Sequence, residues 1–151
     1  MKKTLLLSIA LLLTIFSTNA QTHSEKEHSE KEHSEKEHSE KINYVVLTRQ
    51  VPQLKPILLA AEELAKQDGK NFGDFQVVVC GKTVQELTNE EAMKVFLEQA
   101  EEAGVTINAC GFSLKKFGVD KTKLHPNIKV ADNGILYNFE LQKKGYLSIE
   151  L

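Results

Sequence analysis

The chain has 151 residues, 41% hydrophobic and 26% charged with few aromatics, the profile of an ordinary soluble globular protein and not of a fibrous or disordered one. Its formal net charge is −2, and residues 42–151 carry 13 basic against 14 acidic side chains. No positive excess is left to neutralise a phosphate backbone, so nucleic acid is not expected as a partner.

Residues 1–20 have the three-part form of a secretory signal peptide. Lys2 and Lys3 precede an apolar run from Leu5 to Phe16, and Ser17-Thr18-Asn19-Ala20 supplies the small residues of a cleavage site after Ala20. The apolar run is shorter than the 18 or more residues of a spanning helix, so no membrane span is expected after cleavage. The mature protein is expected to be exported, periplasmic or secreted.

Residues 21–41 follow, built on three copies of His-Ser-Glu-Lys-Glu and a truncated fourth. Such a stretch has nothing to bury and reads as a disordered spacer. Its histidines, His23, His28, His33 and His38, are candidate metal ligands because imidazole is the commonest one. A five-residue step advances about 140° beyond one helical turn, so the four rings never share a helix face. That leaves weak, wrapped chelation as the metal reading; no metal site is expected in the domain.

From Ile42 onward the period changes. Residues 42–47 form a short apolar strand, and Val51-Pro52 opens a helix that carries Ile57, Leu58, Ala61, Leu64 and Ala65 on one face and stops near Gly69. Residues 75–80 form the second strand. Thr88 and Glu91 have capping-box spacing ahead of a helix with Ala92, Val95, Phe96, Gln99 and Ala103, ending at Gly104. Residues 105–109 make a third strand, 110–117 a short helix, and 127–131 a fourth strand. A helix over 134–144 with Ile135, Phe139 and Leu141 apolar leads into the last strand, 146–151. Five alternations with strands apolar on both faces predict a mainly parallel sheet covered by helices on each side.

In such sheets chemistry gathers beyond the carboxyl ends of the strands, and both cysteines fall there. Cys110, in Asn108-Ala109-Cys110-Gly111-Phe112-Ser113, sits where a strand gives way to a helix, a junction that favours the thiolate. A free Cys is also often a small buried hydrophobe, and position alone leaves both readings open. Cys80 ends the second strand and is either a second thiol or a core residue. A bond between the two is compatible with an oxidising compartment but requires Cα atoms within about 7 Å. The lone domain histidine, His125 in Leu124-His125-Pro126-Asn127, could assist a thiol or fill a turn, and the turn is the favoured reading. Gly-rich phosphate loops, nucleophile elbows, His-Glu-x-x-His and Cys-x-x-Cys are all missing from the sequence, so no cofactor is expected.

Several stretches, specific in combination, resemble the DsrE/DsrF family of small sulfur-handling proteins across nearly all of residues 42–151. Gln76-Val77-Val78-Val79 followed by Gly81-Lys82-Thr83-Val84-Gln85-Glu86-Leu87 resembles the family's second strand and its turn. Gly104-Val105-Thr106-Ile107-Asn108-Ala109-Cys110 resembles the strand that delivers its sulfur-carrying cysteine, which corresponds to Cys110. The tail agrees: Asn127-Ile128-Lys129-Val130-Ala131-Asp132-Asn133-Gly134, then Leu141-Gln142-Lys143-Lys144-Gly145-Tyr146.

The resemblance implies a three-layer α/β/α sandwich with a mainly parallel five-stranded sheet, assembled as a homo-oligomer, trimer or hexamer. It further implies that Cys110 accepts sulfane sulfur as a persulfide and passes it on, with sulfur donors and acceptor thiols as partners. Two other readings stay open: a non-catalytic oligomeric binding protein of the same fold, and a thiol–disulfide redox protein using Cys80 and Cys110. Lys115 or Lys116 would add screening near the sulfur or serve as surface charge.

Overall fold

The computed structural model describes residues 40–151. The leader and all four histidines of the repeat lie outside the described residues. No helix among the described residues is long and apolar enough to cross a membrane.

The strands are β1 (Ile42–Thr48), β2 (Phe72–Val79), β3 (Val105–Cys110), β4 (Lys129–Ala131) and β5 (Leu147–Glu150). Between them run α1 (Leu54–Asp68), α2 (Glu90–Glu102), α3 (Gly111–Lys116) and α4 (Gly134–Lys143). All pairings are parallel and the strand order is β4-β3-β2-β1-β5. The first four strands step in one direction across the sheet, and the fifth returns to lie beside β1. Right-handed crossovers therefore place α1, α2 and α3 on one face and α4 on the other. The expected three-layer sandwich is the one observed.

Strand alternation divides the core accordingly. Val46, Phe75, Val77, Val79, Ile107 and Ala109 pack with Leu54, Leu58, Met93, Leu97 and Leu114 of the three-helix side. Burying one such Leu or Phe contributes about 1.5–3 kcal/mol. The opposite face buries a smaller cluster, Val45, Leu47, Val78, Cys80, Cys110 and Leu141, with Tyr137 and Tyr146 against it. Beside it runs a polar strip. Asn108 Nδ2 donates to Gln76 Oε1 at 2.8 Å, Tyr137 OH to the same oxygen at 3.3 Å, and Tyr146 OH to Asp74 Oδ2 at 2.7 Å. These bonds tie α4 and the start of β5 to the sheet.

Three local readings change. The α2 N-cap is Asn89, whose Oδ1 accepts from the Ala92 N–H at 3.1 Å, and not Thr88. Its inward face is Met93, Leu97 and Ala100, while Val95 is 57% exposed, because apolar residues occur on more than one stripe and the sheet selects one. On α4, Ile135 and Phe139 point to solvent at 51% and 56% exposure, and Leu141 with Gly134 is buried.

Candidate functional site around Cys110

Adjacent strands whose following helices leave in opposite directions open a crevice at their carboxyl ends. Here those strands are β3 and β4, since α3 packs on one face and α4 on the other. Cys110 is the last residue of β3 and the N-cap of α3, with extended backbone. The first residue of α4, Gly134, donates its N–H to Cys110 Sγ at 3.3 Å. Two helix starts thus converge on one sulfur.

Burial opposes ionisation of Cys110 and is the largest single influence on it. The Ser113 hydroxyl, the Gly134 N–H, the Ser113 N–H and the Cys80 thiol together outweigh burial, so the thiol ionises below its ordinary range. Of these donors, the Gly134 N–H has full hydrogen-bond geometry; Cys110 makes no regular cap bond to α3, and the others act as nearby dipoles. A six-residue helix has a small macrodipole, so these local donors matter more than α3 as a whole.

Ser113 is the site residue that sequence reasoning passed over. It is buried, and its Oγ accepts from the Gly81 N–H at 2.9 Å, which leaves the hydroxyl proton free to face the sulfur. The signal was the Cys-x-x-Ser spacing, which puts a hydroxyl at the third helical position after an N-cap thiol. Gly111 makes room for a neighbouring turn. A Cβ there would sit 3.1 Å from Asp132 O and 3.2 Å from Asp132 Cα, so the glycine lets the β4–α4 turn close against α3. The Phe112 N–H then donates to Asp132 O at 2.8 Å.

Cys80 lies on the same face as Cys110, one residue beyond β2, and both are buried free thiols. A Cβ on Gly134 would stand 2.6 Å from Cys80 Sγ and 3.1 Å from Cys110 Cβ, so both cysteines back onto that glycine. Burial pushes the Cys80 thiol up to about 12, and the charge and hydrogen bonding of Cys110 add to it. Arg49 pulls the other way and Glu150 reinforces the rise.

The remaining candidates lie elsewhere. His125 sits in the turn before β4, accepting at Nδ1 from the Asn127 N–H at 3.2 Å, in a hollow against α2. Lys116 lies over the Phe117 ring at 5.7 Å, whereas Lys115 and Lys121 line a hollow of about 420 Å³ with Gly111, Phe112 and Asp132, on the flank of the Cys110 turn. An apolar groove of about 280 Å³ between α1, β1 and β5 contains none of the thiol-site residues. Among the described residues no group of three His, Cys, Asp or Glu is placed to hold a metal ion.

The chain is similar in structure to MTH1491 from Methanobacterium thermoautotrophicum, at a TM-score of 0.58 and 18% identity over 73% of this chain and 99% of that one. BT1422 from Bacteroides thetaiotaomicron matches at a TM-score of 0.56 and 19% identity, over 72% and 94%. The likeness is one of fold. Both neighbours are described as proteins of unknown function. No family model matches the sequence, and no curated protein matches it either.

Proposed function

We propose that this is an exported sulfur carrier of the DsrE/DsrF type that holds sulfane sulfur as a persulfide on Cys110. The observation that carries the reading is the convergence of the Gly134 N–H and Ser113 on a buried sulfur, which lowers the thiol's ionisation against its burial. Cys110 thiolate attacks the outer sulfur of a polysulfide or thiosulfate. A Cys110 Sγ–S bond forms, the donor's own S–S bond breaks, and the bonding pair leaves with the donor remainder. An acceptor thiolate then takes the outer sulfur and returns Cys110 as thiolate. The same N–H and hydroxyl donors that favour the thiolate favour the persulfide anion.

Cys110 is 3% exposed, so the donor reaches it when the turn from Ala131 to Gly134 lifts. That turn is held to the site by the Phe112–Asp132 bond and by Gly134 itself. Lys115 and Lys121, on the flanking hollow, suit the approach of an anionic donor. The sequence resemblance supports assembly into a homo-oligomer, and the signal-peptide form of residues 1–20 supports work outside the cytoplasm.

Intact-mass analysis after polysulfide or thiosulfate treatment tests the proposal. A reducible gain of one sulfur, lost in Cys110→Ser, is expected. No sulfur uptake, together with a Cys110 inert to alkylation in the native state, would leave the non-catalytic binding protein as the reading.

A further inference from the structure

We infer that Cys80 resolves the Cys110 persulfide, closing a Cys80–Cys110 disulfide and releasing the carried sulfur as sulfide. The inference rests on the carrier reading and gives that carrier a built-in discharge. Register places the two residues side by side: Val78 pairs with Asn108 and Val79 with Ala109, so the next step of both chains sets Cys80 beside Cys110. Neighbouring strands lie about 4.8 Å apart, inside the Cα separation a disulfide spans. Alternation turns both side chains to the α4 face, where they meet the one residue that cannot intervene. Gly134 has no side chain, and a Cβ there would collide with Cys80 Sγ at 2.6 Å.

The step balances without an added oxidant. Cys80 first passes its proton to the outer sulfur of the persulfide anion and, as thiolate, attacks Cys110 Sγ; the Cys80–Cys110 S–S bond forms and the bond from Cys110 to the sulfane sulfur breaks. The outgoing sulfur takes the bonding pair together with the Cys80 proton and departs as hydrosulfide. The two thiol sulfurs are oxidised by two electrons in all, and the sulfane sulfur is reduced by the same two. Before the step, burial keeps Cys80 protonated, so it serves as a proton donor beside the anion and does not compete with Cys110 for incoming sulfur. Afterwards the domain is closed to a second sulfur until a dithiol reductant reopens the pair.

Reduced wild type and Cys80→Ser are loaded with polysulfide, desalted, and kept without acceptor while intact mass under non-reducing conditions and free sulfide are followed. In wild type the sulfur adduct should give way to a species two hydrogens lighter than the reduced chain, with sulfide released in equal amount. Cys80→Ser should hold its adduct roughly tenfold longer or more and form no internal bond. Wild type should then refuse a second load until reduced, whereas Cys80→Ser, emptied by an acceptor thiol, should reload at once. Equal adduct lifetimes in the two proteins, or loss of the wild-type adduct with no linked Cys80–Cys110 peptide in a non-reducing digest, would overturn the inference and leave the carrier standing. An adduct on neither protein defeats the carrier, and the inference with it. Should Cys80→Ser fail to fold, the wild-type digest decides alone.

Discussion

At Cys110 a buried sulfur would normally hold its proton, and what reverses the balance is a small set of donors that can be removed one at a time. Alkylation rate against pH should give Cys110 a midpoint below the free-thiol value of about 8.5. Ser113→Ala deletes the hydroxyl that faces the sulfur and strips the Gly81 N–H of its acceptor. Its midpoint should move up towards the free-thiol value, and stability should fall by about 1 kcal/mol. An unchanged midpoint would make Ser113 a packing residue only. Gly134→Ala forces a methyl into contact with Cys80 Sγ, Val78 Cγ1 and Cys110 Cβ, at 2.6, 2.8 and 3.1 Å. Overpacking of this kind costs about 1–3 kcal/mol, and chemical denaturation should show it. The same variant should lose sulfur uptake, because the start of α4 cannot keep its place over the thiolate.

Among the elements, what the sequence made legible follows from what is local. Strand runs at Tyr44-Val45-Val46-Leu47 and Gln76-Val77-Val78-Val79 are apolar on both faces, so a covered parallel sheet could be read directly, as could the placing of both cysteines at strand ends. The face of α2 could not, because Val95 and Leu97 are equally apolar and only packing against the sheet separates them. The meeting of Cys110 with Gly134 was hidden for another reason: it depends on β4 lying beside β3 while α4 crosses to the far face, and strand order is not written in any local pattern. The links that fasten these elements also set a response to pH. Tyr44, bonded to Asp68, Tyr146, bonded to Asp74, and buried Cys80 are each pushed up to about 12. In the unfolded chain they release protons near 10 for the tyrosines and about 8.5 for the thiol. The folded chain then holds protons the unfolded one has lost, so stability is fully present below those values and falls as pH rises towards about 12. Cys110 has the opposite sign: its contribution is present above the unfolded thiol value and lost as pH falls through its lowered one. Thermal melts should show Tm declining above about pH 9, and Tyr146→Phe should flatten part of that decline.

For the whole molecule, the repeat and the exposed α4 face make separate claims. Lys41, the last residue of the repeat, donates its ammonium to the Lys70 and Phe72 carbonyls at 2.8 and 3.1 Å on an exposed surface. Deleting residues 23–41 should therefore change stability by less than about 1 kcal/mol, and should abolish any zinc or copper binding seen by calorimetry. Binding that survives the deletion would move the metal into the domain.

The α4 side bears on assembly, because a single helix covers that face of the sheet and turns apolar residues outward. Ile135, Leu136 and Phe139 on α4 are all more than half exposed. An exposed apolar surface of this kind suits an interaction site, and the homo-oligomer proposed from the sequence resemblance would cover it with further copies of the same chain. Each of these side chains is already half buried, so covering it at a subunit contact contributes about half the 1.5–3 kcal/mol of full burial, set against the cost of association. Light scattering should then find the mature protein as a closed oligomer, and Phe139→Glu, which buries a charge if that face is covered, should shift it towards monomer. The start of α4 holds the Gly134 N–H over Cys110, so an assembly through this helix would also steady the turn that covers the thiol. Phe139→Glu should accordingly speed alkylation of Cys110 as it dissolves the oligomer. A wild type already monomeric at that concentration, or a variant that stays assembled with Cys110 unchanged, would separate the α4 face from both assembly and access.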